Sequence, residues 1–205
     1  LNPQACPSYR GPVIFSPRAA REVLLSMALG HTLGSQVMDG KSRWGDSLGK
    51  QVVDPRLTLR DAPHDPRFAG CTAFDSDGLP TAPRDIIKNG VLETHLLNCY
   101  TAKKLGRTSN ACGGAPFALI VEPGDTSLQD MIKDFDHILL VDRFSGNSDA
   151  IKGDFSGVAK SSRLFRKGED VGSISETMIA GNIFDCLNQV VGISKDARVQ
   201  SGSYY

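Results

Sequence analysis

The chain has 205 residues, enough to bury one sizeable hydrophobic core or two small ones. Its 23 basic residues are balanced by 23 acidic ones, which argues against a general electrostatic grip on nucleic acid, a mode that needs clustered positive charge to displace counterions. No apolar run is long enough to span a bilayer or to serve as a signal peptide, and the five cysteines are odd in number without a Cys-x-x-Cys pair. Together these point to reduced thiols in a cytoplasmic protein, with no nucleic acid and no membrane as partners.

Residues 1–10 contain two prolines and no periodicity, and read as a linker. Pro12 to Phe15 is a short strand, and Ser16-Pro17 starts a helix, with Ser16 as N-cap and Pro17 at the first helical position. Ala20, Val23, Leu24, Met27 and Ala28 recur at helical spacing, and Gly30 ends or bends the helix. Residues 34–50 hold four glycines and the single tryptophan, Trp44, and are expected to be a partly ordered excursion. Residues 51–60 alternate well enough for a strand interrupted at Pro55, and residues 61–70 read as a loop.

The most informative stretch is residues 74–106. Asp77-Gly78 and Asn89-Gly90 are turn signals, and Asn89-Gly90 between two apolar runs predicts a hairpin, because a type I′ turn needs φ > 0 at both central residues. Tyr100 to Leu105 reads as a short helix stopped by Gly106. A glycine-containing loop (108–116) precedes a strand over 117–121. Asp125/Thr126 is expected to cap a helix over 127–135, and a strand follows over 138–141. A β-meander is predicted next, with strands 150–154, 157–165 and 174–179. Asn182 then caps a last helix, with Ile183, Leu187 and Val190/Val191 inward and Gly192 as its stop. Strand-rich segments with a few helices indicate α+β rather than alternating βαβ units.

Candidate chemistry is sparse. Cys112, in a glycine-flanked loop, is expected to be an exposed thiol with no base beside it to make it a nucleophile, while Cys99 and Cys186 are expected in or near the core. Gly153 to Gly157 lacks the Gly-Lys-Ser/Thr ending of a phosphate loop and reads as a turn or bulge; Asp75 and Asp77 read as turn chemistry rather than a calcium loop. The basic cluster 163–167 reads as a solvated strand and turn. His64, His95 and His137 show no ligand spacing. His31 follows a helix-ending glycine, where it can bond the last carbonyls, or it can be a residual contact to a peptide or a shared metal.

The 74–106 stretch, together with Gly153-Asp154-Phe155-Ser156-Gly157, Gly168-Glu169, Ile179-Ala180-Gly181-Asn182 and Val191-Gly192, resembles the TldD/PmbA family, once called modulators of DNA gyrase and now regarded as a two-subunit metallopeptidase system. The resemblance covers residues 11–205 and implies a C-terminal-type domain: a strand-rich, mixed or antiparallel, barrel-like sheet with a few packed helices. The family's N-terminal α/β domain has no counterpart here, and a last strand is expected after Ser201-Gly202-Ser203. Because the chain starts at Leu1 and is about half the family's usual length, it is expected to be a fragment or processed product.

In the TldD branch the first helix carries His-Glu-x-x-x-His, and a cysteine near the C-terminus completes a zinc site with an open position for water. Histidines five apart lie about 140° apart on a regular helix, so they converge only if the helix distorts. Here the aligned residues are Ser26-Met27-Ala28-Leu29-Gly30-His31. The resemblance therefore implies a degenerate motif at Ser26, Met27 and His31, no catalytic residue, no metal and no cofactor. It implies a PmbA/TldE-like, non-catalytic peptidase subunit whose partners are a TldD-like catalytic chain or a second copy of itself in a dimer, and an extended peptide. Two alternatives stand beside it: an autonomous peptidase with a different ligand set, and a self-associating regulatory module.

Overall fold

The computed structural model describes residues 4–175 and 177–200. They form two compact units, the first from the described residues of 4–27 and 123–200 and the second from Ala28–Glu122. The family's expected last strand, beyond Ser203, lies outside the described residues.

In the first unit, β1 (Val13–Phe15) leads into α1 (Pro17–Ala19). Ser16 caps it as expected, its Oγ accepting from Ala19 N at 3.2 Å. The helix continues as a π-helical segment (Ala20–Leu25) and then α2 (Ser26–Gly30), which carries the chain to its second unit. One sheet of the first unit has the order β1-β6-β9-β10, with β6 at His137–Val141, β9 at Arg163–Arg166 and β10 at Glu169–Ser173. β1 runs parallel to β6, pairing Val13 with Leu139, and the other pairs are antiparallel. The two-residue period of β6 sends its apolar side chains both ways. Leu139 and Val141 pack with Ala19 and Ala159; Ile138 packs with Phe165 and with Ile132 of α5 (Leu128–Lys133).

The second sheet of this unit, β11-β8-β7, is an antiparallel ribbon of β7 (Arg143–Ser148), β8 (Asp154–Lys160) and β11 (Thr177–Asn182). Phe155, Gly157 and Ala159 face inward along β8. Gly146 and Gly157 are register partners so close that a Cβ on either would collide with the other's backbone; the Phe144 ring lies over both. Asn182 caps α6 (Ile183–Asn188), accepting from Phe184 N at 3.0 Å.

The second unit contains α3 (Gly34–Met38), α4 (Cys99–Lys104) and an antiparallel sheet, β4-β3-β2-β5: β2 Leu59–Asp61, β3 Arg84–Lys88, β4 Val91–Leu92, β5 Leu119–Val121. The hairpin between β3 and β4 turns at Asn89 (φ 47°) and Gly90 (φ 79°), as Asn-Gly requires. Asn98 caps α4 through Thr101 N, and Gly106 (φ 64°) follows its end.

The α+β class holds, but the three sheets are open and none of the described strands closes a barrel. Strand placement differs from expectation mainly around the ribbon. Residues 150–153 form a turn, not a strand, because Asp149 Oδ1 accepts from Ile151 N and Lys152 N and Gly153 adopts φ 82°. β7, polar and glycine-bearing, has no apolar alternation to announce it. The predicted strand 157–165 breaks at Ser161 (φ 53°) into β8 and β9. Of residues 51–60 only the end is strand, Gln51 making a single bridge to Val91. Residues 34–50 hold α3 and a buried Trp44, and the last helix ends at Asn188, leaving Val191 65% exposed.

Candidate functional site

The three positions that the resemblance singles out, Ser26 and Met27 on α2 and His31 just past its end, meet different surroundings. Ser26 is exposed, and its hydroxyl donates back to Glu22 O at 3.0 Å. Its backbone N–H donates to Arg21 O, five residues earlier, so the widened helical turns end at the motif's first position. The distortion that converging i, i+5 side chains require therefore precedes the motif; it was expected near Gly30. Nothing in the apolar spacing of Ala20 to Ala28 signals it. Met27 is buried, and the same helical spacing that predicted the inward face accounts for that.

His31 is 2% exposed and belongs to the second unit. Its backbone N–H donates to Ala28 O at 3.1 Å, as a residue closing a helix should. Its ring does something the sequence did not suggest: Nδ1 accepts from Arg43 N at 3.1 Å, and the imidazole tilts against Trp44 with ring centroids 5.8 Å apart. Ser42 Oγ donates to His31 O at 2.6 Å, so the 42–44 segment wraps the histidine through main-chain and side-chain bonds together.

The remaining histidines lie in separate settings. His64 Nε2 is 2.9 Å from Thr81 Oγ1, His95 bridges Trp44 O and Arg107, and His137 stacks edge-on to Tyr9. Among the described residues, no three His, Cys, Asp or Glu side chains gather as a metal-holding group.

Two cysteine expectations are reversed. Cys112 is 1% exposed, its Sγ 3.1 Å from Asn110 Oδ1, and burial pushes its thiol above the ordinary range. The glycines around it shape a tight turn that tucks the side chain inward, with Gly113 N donating to Asp75 Oδ2. Cys99 is exposed, because it opens α4 with its N–H donating to Asp77 Oδ2, and that carboxylate raises its thiol. Cys186 is half-buried and likewise raised by burial. None is a low-pKa nucleophile.

Asp75 behaves as turn chemistry predicts, Oδ1 accepting from Asp77 N and Leu79 N. A functional-looking pair that the sequence reading missed is Asp61 and Arg84. Asp61 is fully buried, Oδ1 accepting from Phe117 N and Ala118 N, with Arg84 Nε 3.5 Å from Oδ2. Arg84 also donates to the Ala82, Asn110 and Ala111 carbonyls and borders a pocket of about 160 Å³ with Thr94 and Asn110. A larger depression of about 500 Å³, in the first unit, is lined by Cys6, Tyr9, Arg10, Met178 and Ile179 among others. Neither is lined by Ser26, Met27 or His31.

A family model described as the PmbA/TldA metallopeptidase C-terminal domain matches residues 8–205. The chain belongs to the PmbA/TldD metallopeptidase family. It is 33% identical over 202 residues to the metalloprotease PmbA of Escherichia coli O157:H7, covering 98% of this chain and 44% of that protein. It is 32% identical over 209 residues to the PmbA homolog of Haemophilus influenzae, covering 99% and 46%.

Among solved structures, a Thermotoga maritima protein named as a modulator of a DNA gyrase superposes with a TM-score of 0.87 at 28% identity, over 97% of this chain and 47% of that one. TldE from Thermococcus kodakarensis superposes with a TM-score of 0.81 at 28% identity, over 90% and 44%. The chain thus spans less than half the length of these PmbA/TldD relatives. No helix among its described residues is long and apolar enough to cross a membrane.

Proposed function

We propose that this chain is the C-terminal part of a PmbA/TldE-like, non-catalytic subunit of a TldD/TldE-type metallopeptidase that acts on unfolded peptides. The partner in this reading is a TldD-like chain carrying the metal, with a second copy of this chain as the alternative partner. The observation that carries it is the state of the three motif positions. A zinc site wants imidazole, thiolate or carboxylate donors aimed at one point with an open position for water. The side chains here are a hydroxyl turned onto its own helix, a buried thioether, and an imidazole whose Nδ1 accepts a backbone N–H. That donor set does not fit zinc, and a thioether cannot take a proton from attacking water.

The family membership supports the peptidase context, and the likeness to TldE supports the branch. The test is metal content and activity of the protein carrying this chain, alone and mixed with a TldD-like partner. The expected outcome is sub-stoichiometric zinc by elemental analysis and no cleavage of an unfolded peptide alone, with chelator-sensitive cleavage in the mixture. Stoichiometric zinc and cleavage by the isolated protein would overturn the proposal.

A further inference from the structure

His95 stands outside the functional reading above, and its surroundings specify its protonation state. It is 1% exposed. Nε2 lies 3.0 Å from Trp44 O, a group that can only accept, so Nε2 carries the proton. Nδ1 lies 2.9 Å from Arg107 Nη1, a group that can only donate, so Nδ1 carries none. Two neighbours of opposite hydrogen-bonding character thereby select one neutral tautomer.

The main chain around His95 is equally committed. Asn110 Nδ2 donates to His95 O at 2.7 Å, Leu96 N donates to Thr32 O, and Gly34 N donates to Leu96 O. The imidazole cannot move without disturbing the centre of its unit. At its far side Trp44 is 3% exposed and belongs to the segment that wraps His31. Arg107, by contrast, is exposed and free to swing into water.

We propose that His95 is an acid-sensitive latch between Arg107 and the Trp44 segment: a proton added at Nδ1 breaks the Arg107 contact and admits water beneath Trp44. The proton takes the lone pair that Arg107 uses, and it creates a buried cation facing a guanidinium. Burial is the largest reason the imidazole holds its neutral form below the ordinary 6.5. The bond to Trp44 O and the exposed Asp46 act in the opposite direction, and Arg107 acts with burial. Because the folded state binds this proton less readily than the unfolded one, its stabilising contribution is complete above pH 6.5 and is lost as pH falls from 6.5 through the folded-state value.

The inference stands on this geometry and is independent of the peptidase reading. The chain has a single tryptophan, whose carbonyl lies against His95 and whose indole lies against His31, so its emission follows the segment and the His95→Gln variant separates the two histidines. Titrated from about pH 7.5 to pH 5, the wild-type emission should shift to longer wavelength with a midpoint below 6.5. His95→Gln keeps a donor for Trp44 O but cannot titrate, so the shift should vanish. Arg107→Met, at an exposed position, removes the opposing charge and should move the midpoint upward by roughly half a unit to one unit. A flat wild-type profile, a His95→Gln profile like the wild type, or an unmoved Arg107→Met midpoint would each overturn the latch. Should His95→Gln fail to fold, the direction of the Arg107→Met shift decides alone.

Discussion

The two units differ in what they bury. Among the described residues, the second unit encloses His31, Thr32, Asp61, Asp75, Thr81, His95 and Thr101, whereas the only polar side chain equally buried in the first is Ser162. The first unit is held by apolar side chains sent to both faces of β6; the second has short strands and long loops pinned by side-chain to main-chain bonds. Polar pinning lets irregular backbone be buried, because each carbonyl and N–H finds a partner that a sheet ladder would otherwise supply. It also makes the second unit intolerant of removing one partner, since the group left behind keeps its desolvation cost.

The largest expected effect tests that difference at Asp61. Asp61→Ala strands the Phe117 and Ala118 N–H groups and leaves the nearly buried Arg84 guanidinium without its carboxylate. Removing one partner of a buried pair costs about 3–5 kcal/mol, so urea unfolding should show a loss in that range. A loss below about 1 kcal/mol, the scale of exposed pairs, would mean that polar pinning contributes little. In the first unit the matching experiment is Leu139→Ala, which empties a 1%-exposed site against Ala19 and Ala159. The expected loss is about 2–4 kcal/mol, set by transfer and cavity terms.

How much of this was legible beforehand divides along the same line. The apolar periodicities of residues 128–132 and 138–141 placed elements of the first unit's core, because burial there depends on side-chain period alone. Asn89-Gly90, Ser16-Pro17, Asn182 and Gly106 were legible because their chemistry is local: a positive φ or a cap. The polar pins were not legible. Nothing local to Asp61 points to Phe117 N, and nothing local to His31 points to Arg43 N; each partner is set by tertiary fold. Cys112 was misplaced for the same reason, its loop being folded inward by a bond from Gly113 N to Asp75.

β7 escaped notice because a strand whose side chains mostly face water and whose centre is Gly146 has no pattern to detect. At Ser26 and Met27, which the proposed reading sets in the places of the TldD branch's histidine and glutamate, the residue types are plain in the sequence. Their surroundings were only half readable. Met27 follows the helical period inward, but the π-helical turns before Ser26 follow from no residue type in the segment.

A smaller effect isolates local chemistry common to both units. Asn182→Ala deletes the cap acceptor for Phe184 N and the Nδ2 bonds to Lys152 O and Asp154. Cap loss costs about 1 kcal/mol. Asn98→Ala in the second unit removes a cap acceptor for Thr101 N, and also the nearer of the buried Thr101 hydroxyl's two acceptors, leaving only Asn98 O at 3.3 Å. If burial of polar groups is what distinguishes the units, Asn98→Ala should cost more than Asn182→Ala by about 1 kcal/mol. Equal losses would reduce the contrast to one of composition.

The smallest effect belongs to the ion pair joining β9 and β10. Arg163 Nε donates to Asp170 Oδ2 at 2.8 Å, and the carboxyl is held below its usual range chiefly by that bond. Both side chains are substantially exposed, at 50% and 39%, so water and salt screen the attraction. Because the depressed carboxyl favours its charged form, the contribution is present at neutral pH and lost as pH falls through the folded-state value. Asp170→Asn should therefore lower stability by less than about 1 kcal/mol at neutral pH and low salt. The difference from wild type should shrink further in about 1 M salt, where the screening length falls to about 3 Å. A loss comparable to that of Asp61→Ala, unmoved by salt, would show that charge pairing on the first unit's surface matters as much as charge pairing inside the second.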